Sequence, residues 1–126
     1  SKYYDLYKNE DCEFINLFPK QIEFGSSWFV KMQSGGHLTS HIHEDGWISW
    51  AIYLSIPKKT KTQDEGAIEL STHGDDYPII NDDFPKEVIK PKEGDVIFFP
   101  SSVFHRTIPF ESDEERICIA FDLKPS

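Results

Sequence analysis

GGHLTSHIHEDGWISWAIYLSI, residues 35–56, is the stretch on which the fold turns. Gly35-Gly36 marks a tight turn and Asp45-Gly46 a second break. After that break, residues 47–56 form the strongest β segment of the chain, dense in Ile, Trp and Tyr until Pro57 stops it. The segment between the two breaks is read as another strand, holding His41 and His43. Residues two apart on a strand face the same side, so both imidazoles can be presented to one point if that side is the interior. A solvent-facing His-Ile-His pair fits the same residues.

Outward from this stretch the pattern stays β. Residues 28–32 (WFVKM), 67–70, 87–90, 96–99, 103–108 and 116–123 read as further strands, with Pro91 to Asp95 as a turn. Residues 13–18 suggest an outer strand ended by Pro19. About eight short strands separated by Gly and Pro turns, with no helix required, predict an all-β double-stranded β-helix, a jelly roll or cupin-like barrel. A length of 126 residues suits one such domain, with residues 1–20 peripheral. Residues 71–85 are polar, turn-rich and longer than ordinary connections, which predicts a lid over a pocket.

Thirteen Lys and Arg against 22 Asp and Glu give a formal charge of -9. That balance disfavours a nucleic-acid backbone or an anionic membrane as the main partner, because both reward clustered positive charge. The two cysteines, Cys12 and Cys118, have no paired metal spacing, so neither a disulfide scaffold nor a Cys-built zinc site is implied. With no long apolar run and no evident secretion signal, a cytoplasmic protein is expected. Exposed aromatics such as Trp28 and Phe29, or the terminal strands, offer a surface for a homodimer.

His105 follows the block GDVIFFP, residues 94–100, a turn and apolar strand that would carry the next segment back across the barrel toward His41 and His43. Three imidazoles then meet, a donor set that suits iron, zinc, copper or nickel. Arg116 opens the apolar run RICIAFDL, where alternation leaves both faces equally apolar. Composition favours a solvated Arg116, whereas a buried one would match a bidentate carboxylate ligand. Tyr53, central in the strong strand, is either core or a phenolic donor.

These residues carry a resemblance. GSSWFVKMQSGGHLTSHIHEDGWISWAIYL, GAIEL and KPKEGDVIFFPSSVFHRTIPFESDEERICIAFDLKP, in that order, resemble the small iron(II)- and 2-oxoglutarate-dependent oxygenase family related to prolyl hydroxylases, some of whose members are fused to tetratricopeptide repeats. The resemblance implies His41, His43 and His105 as iron(II) ligands and Arg116, eleven residues after His105, as the clamp for 2-oxoglutarate, with Tyr53 assisting. It implies a dioxygenase that decarboxylates 2-oxoglutarate to succinate while hydroxylating a substrate the sequence does not name. The wider superfamily has a carboxylate where this chain has His43, so Glu44 or Asp45 enters as an alternative third ligand. Trp50 and Arg106 stand where relatives tend to carry Gly, which narrows or recharges a substrate pocket.

Two other functions fit parts of the pattern. A cupin-like metal-dependent enzyme that does not use 2-oxoglutarate would share the HxH and the distal His, though the usual cupin Glu is absent. A non-catalytic jelly roll would retain the histidines as a metal or small-molecule binding site.

Overall fold

A computed structural model describes residues 1–126. Eight strands run in the order β1 (Ile22–Met32), β2 (Leu38–His41), β3 (Ile48–Ser55), β4 (Ile68–Ser71), β5 (Lys86–Ile89), β6 (Val96–Pro100), β7 (Phe104–Thr107) and β8 (Arg116–Pro125). They form two antiparallel four-stranded sheets, ordered β1-β8-β3-β6 and β2-β7-β4-β5. The chain changes sheet at every connection except β4 to β5, the winding of a double-stranded β-helix. The all-β jelly roll expected from the strand pattern is therefore the fold.

Alternation decides which side chains fill the space between the sheets. On β3, Ser49, Ala51 and Tyr53 are buried while their neighbours are more open. On β8, Arg116, Cys118 and Asp122 are buried on one face, with half-buried Ala120 between them in register. Ala51, Tyr53, Ile56 and Cys118 form the central apolar cluster, against which Val30 and Ala120 pack. The opposite face of this larger sheet carries a row of rings crossing all four strands: Phe24 on Phe121, Phe121 on Trp50 and Trp50 on Phe98, at centroid distances of 5.8, 4.4 and 5.4 Å.

The turn before β6 shows how local chemistry sets the register. Lys92 donates its N–H to the Asp95 carboxylate at 2.7 Å, and Asp95 returns its own N–H to the Lys92 carbonyl at 3.0 Å. Gly94 supplies the positive φ of 89° that the turn requires and that an L side chain resists.

Three local expectations fail. Residues 13–18 do not form an outer strand: Glu13–Asn16 is a short helix, α2, preceded by α1 (Lys2–Tyr7), whose first turn is capped by the Ser1 hydroxyl. Aromatic packing holds them, with Phe14 stacked on Trp47 at 5.2 Å and Tyr3 edge-on to Phe14 at 6.1 Å. Secondly, β2 ends at His41, so His43 lies two residues beyond the strand. Thirdly, residues 71–85 do not cover the interior. Gly74 packs on Ser40 and Phe104, and the Tyr77 ring meets Phe104 at 5.8 Å, on the face of β7 opposite to His105.

Candidate metal centre

Topology brings the histidines together. β2 and β7 pair in a register that sets His41 directly opposite His105, with ring centroids 4.3 Å apart. His43 enters from beyond the end of β2, anchored by its N–H to the Ser101 carbonyl at 3.0 Å. Its ring lies 5.3 Å from that of His41 and 4.9 Å from that of His105. One ligand atom from each of the three lies within 4.8 Å of the others. Glu44 and Asp45, the alternative carboxylates, stand outside this cluster.

The outward-facing nitrogens show that the cluster is oriented. His41 Nδ1 contacts the Thr39 carbonyl at 2.7 Å, and His105 Nδ1 contacts the Val103 carbonyl at 3.2 Å. A carbonyl only accepts, so Nδ1 carries the proton in both rings and Nε2 keeps its lone pair. His43 Nδ1 meets both oxygens of Asp122, at 2.7 and 2.8 Å. All three rings thus use Nδ1 away from the cluster, the arrangement by which metal-binding histidines have their tautomers fixed. His105 is also held neutral. Burial, reinforced by the neighbouring His41, brings its pKa down from 6.5 to about 4. On donor set, tautomer and convergence, these residues fit a divalent transition metal such as iron.

Asp122 is not among the residues by which the motifs mark the site in the sequence, although alternation carries a signal for it. It lies six residues after Arg116, so strict alternation puts it on the same face, and a carboxylate inside a central strand needs partners. Ser49 donates to it at 2.7 Å, and Ser101 in turn donates to Ser49 at 2.8 Å. Space is cleared by Gly46, where an added Cβ would stand 2.5 Å from the Ser101 hydroxyl and 3.4 Å from the Asp122 carboxyl carbon. Gly46→Ala is expected to destabilise the protein by about 1 to 3 kcal/mol through this overpacking, read as a lower urea midpoint at unchanged slope. A midpoint equal to wild type would mean that the loop yields freely.

The cluster opens on a cavity of about 470 Å³ between the sheets, whose walls include Trp28, Phe99, Tyr53 and Cys118. Arg116 lines the same cavity and is only 2% exposed, so the solvated Arg116 favoured by composition is not what the fold produces. Its strand is central in the larger sheet, flanked by β1 and β3, and the face that bears Arg116 is the covered one. The guanidinium donates Nε–H to the Gly66 carbonyl at 2.9 Å and lies 5.2 Å from the Tyr53 ring centroid. No carboxylate pairs with it. Burial raises the Tyr53 hydroxyl to about 12 against the opposing pull of Arg116, so Tyr53 remains a neutral donor. Burial likewise raises the Cys118 thiol. A more open groove of about 620 Å³ contains no histidine and is lined mainly by polar residues such as Lys58, Lys90 and Lys92.

Trp50 turns its ring to the outer face, stacked between Phe98 and Phe121, while its indole nitrogen is buried without a partner. Arg106 is also directed away from the cavity, in a two-bond pair with Glu69 at 2.8 and 2.9 Å. That pair holds the Glu69 carboxyl below its usual range.

Residues 26–122 match the family described as "Putative 2OG-Fe(II) oxygenase". No curated protein matches the chain. Among solved structures, a 2OG-Fe(II) oxygenase family oxidoreductase from Burkholderia pseudomallei superposes with a TM-score of 0.63 at 15% identity, over 87% of this chain and 48% of that one. A prolyl-4-hydroxylase from Pseudomonas putida gives 0.60 at 17% identity, over 89% and 56%. HygX from Streptomyces hygroscopicus, with nickel and 2-oxoglutarate bound, gives 0.63 at 12% identity, over 83% and 58%. At these identities the likeness is one of fold, and the chain spans about half to three fifths of the solved proteins it matches.

Proposed function

The chain belongs to the 2OG-Fe(II) oxygenase family, and from that membership we propose that it is an iron(II)- and 2-oxoglutarate-dependent dioxygenase. The observation that carries the reading is Arg116, a buried cation with no acidic partner, facing the same cavity as three histidines whose Nε2 atoms are free. Burying an unpaired guanidinium costs several kcal/mol, so a ligand that brings a carboxylate is the natural complement.

In this assignment His41, His43 and His105 hold iron(II) through Nε2, and Arg116 grips the distal carboxylate of 2-oxoglutarate. Tyr53, protonated and beside Arg116, offers a second donor to that end of the cosubstrate. When bound, iron(II) with 2-oxoglutarate and dioxygen supplies oxidative decarboxylation to succinate coupled to hydroxylation of a C–H bond. The apolar walls formed by Trp28, Phe99 and Ala51 exclude water and hold the primary substrate near the metal. A metal enzyme that makes no use of 2-oxoglutarate would leave Arg116 without a counterpart.

Anaerobic reconstitution with iron(II), followed by optical titration with 2-oxoglutarate, tests the reading. One iron per chain is expected, with saturable 2-oxoglutarate binding that requires the metal and succinate formation once oxygen is admitted. Iron uptake without any saturable response to 2-oxoglutarate would move the protein to the cupin-like class. Failure to bind iron(II) or zinc would leave a non-catalytic jelly roll.

A further inference from the structure

The feature that the family assignment leaves unexplained is the carboxylate behind His43. Asp122 is 6% exposed, and the serines beside it, Ser49 and Ser101, are 1% and 0% exposed. Its only charged or chargeable partner is His43. No lysine or arginine pairs with it. A buried carboxylate held by one hydroxyl and one imidazole is costly unless positive charge arrives nearby. The other side of that imidazole is where the metal is assigned to sit.

The charge arithmetic points the same way. A facial triad of two histidines and one carboxylate places one negative charge on the metal, whereas three neutral imidazoles place none. We propose that Asp122 is a positioning residue that restores this charge through His43: it accepts the Nδ1 proton, fixes Nε2 as the ligand atom and makes the ring a stronger donor. The inference rests on the assignment of the three histidines as metal ligands. His41 and His105 differ, since each is backed by a backbone carbonyl, which orients a ring without adding charge. His43, at the position where the wider superfamily has a carboxylate, is the one imidazole given a carboxylate behind it. The surroundings are built for this contact. Ser49 fixes one oxygen of Asp122, Ser101 fixes Ser49, and Gly25 and Gly46 let backbone approach where a Cβ would stand 3.1 Å from the Asp122 carbonyl oxygen or 3.4 Å from its carboxyl carbon.

Asp122→Asn keeps the size of the side chain and removes its charge. Cobalt(II) serves as an air-stable probe of the site, titrated into metal-free wild type and D122N and followed by its visible absorption. A 10- to 100-fold loss of affinity in D122N is expected, the range found when groups behind metal-bound histidines are changed. A second readout needs no metal. In mildly alkaline buffer, nitrogen-15 histidine spectra of the metal-free protein should show His43 with its proton on Nδ1, shifted downfield as in a charge-assisted hydrogen bond. In D122N that signal should move or change tautomer while those of His41 and His105 stay in place. A general loosening of the fold would move all three, and would overturn the proposal, as would cobalt(II) affinity equal to wild type. Wild type that takes up no cobalt(II) overturns the metal assignment together with this one, so the two failures are distinguishable.

Discussion

Arg116→Met keeps its iron(II) and loses its cosubstrate: 2-oxoglutarate affinity falls by at least about 5- to 30-fold, or about 1 to 2 kcal/mol, while metal occupancy is unchanged. Methionine preserves much of the stem's apolar volume and removes the paired donors that match a carboxylate. Because the guanidinium lacks an acidic partner in the cavity, its removal also relieves a desolvation cost. Metal-free R116M should therefore unfold at a denaturant midpoint equal to or above that of wild type. Loss of ligand affinity with no loss of stability is the signature of a residue kept for binding. Arg116→Lys should fall between the two in 2-oxoglutarate affinity, since it retains charge but not the planar fork. Equal 2-oxoglutarate affinity in all three proteins, at matched iron occupancy, would remove Arg116 from the clamp role.

The second large effect is on acid stability. His105 has its pKa lowered from 6.5 to about 4 in the folded chain by burial and by the adjacent His41. Between those values the unfolded chain binds the proton and the folded chain does not, so the contribution is intact above 6.5 and is lost progressively as pH falls toward 4. At about 1.4 kcal/mol per pH unit, the full gap is worth about 3 kcal/mol. Denaturant unfolding of the chelated protein across this range should show that slope, and His105→Gln should flatten it. A slope that persists unchanged in the variant would assign the acid sensitivity to other groups.

How far these features could be read in advance depends on what decides each one. The eight strands follow from alternation and turn chemistry, which are local, and the turn-and-strand block before His105 signals its return toward His41, although the β2–β7 register that sets them opposite is long-range. The face of β8 does not: Ile117, Ile119 and Phe121 are as apolar as the residues between them, and only the layer covering one side makes Arg116 interior. His43 keeps its direction after β2 has ended because Ser101 and Asp122, distant in sequence, hold its backbone and ring. Short apolar runs such as Phe14-Ile15 do not distinguish strand from helix, and packing against Trp47 settles that segment as helix. The carboxylate behind the metal position was visible as an anomaly, an Asp in a central strand, but its partner lies 79 residues away in sequence.

The distribution of the three histidines over the fold ties chemistry to mechanics. His41 and His105 face each other on the smaller sheet, while His43 is gripped by a residue of the larger one. A metal ion bound among them would act as a rivet through both layers, joining sheets whose central apolar cluster is small and drawn from the larger sheet alone. Such a rivet strengthens the folded state by mass action, about 2.7 kcal/mol at a free metal concentration one hundred times the dissociation constant. Sliding of one layer over the other would change the distances between ligand atoms, so repacking far from the histidines, at Ile56 for example, would register as altered metal affinity. Cohesion of the barrel and occupancy of its centre would then be one equilibrium seen from two sides.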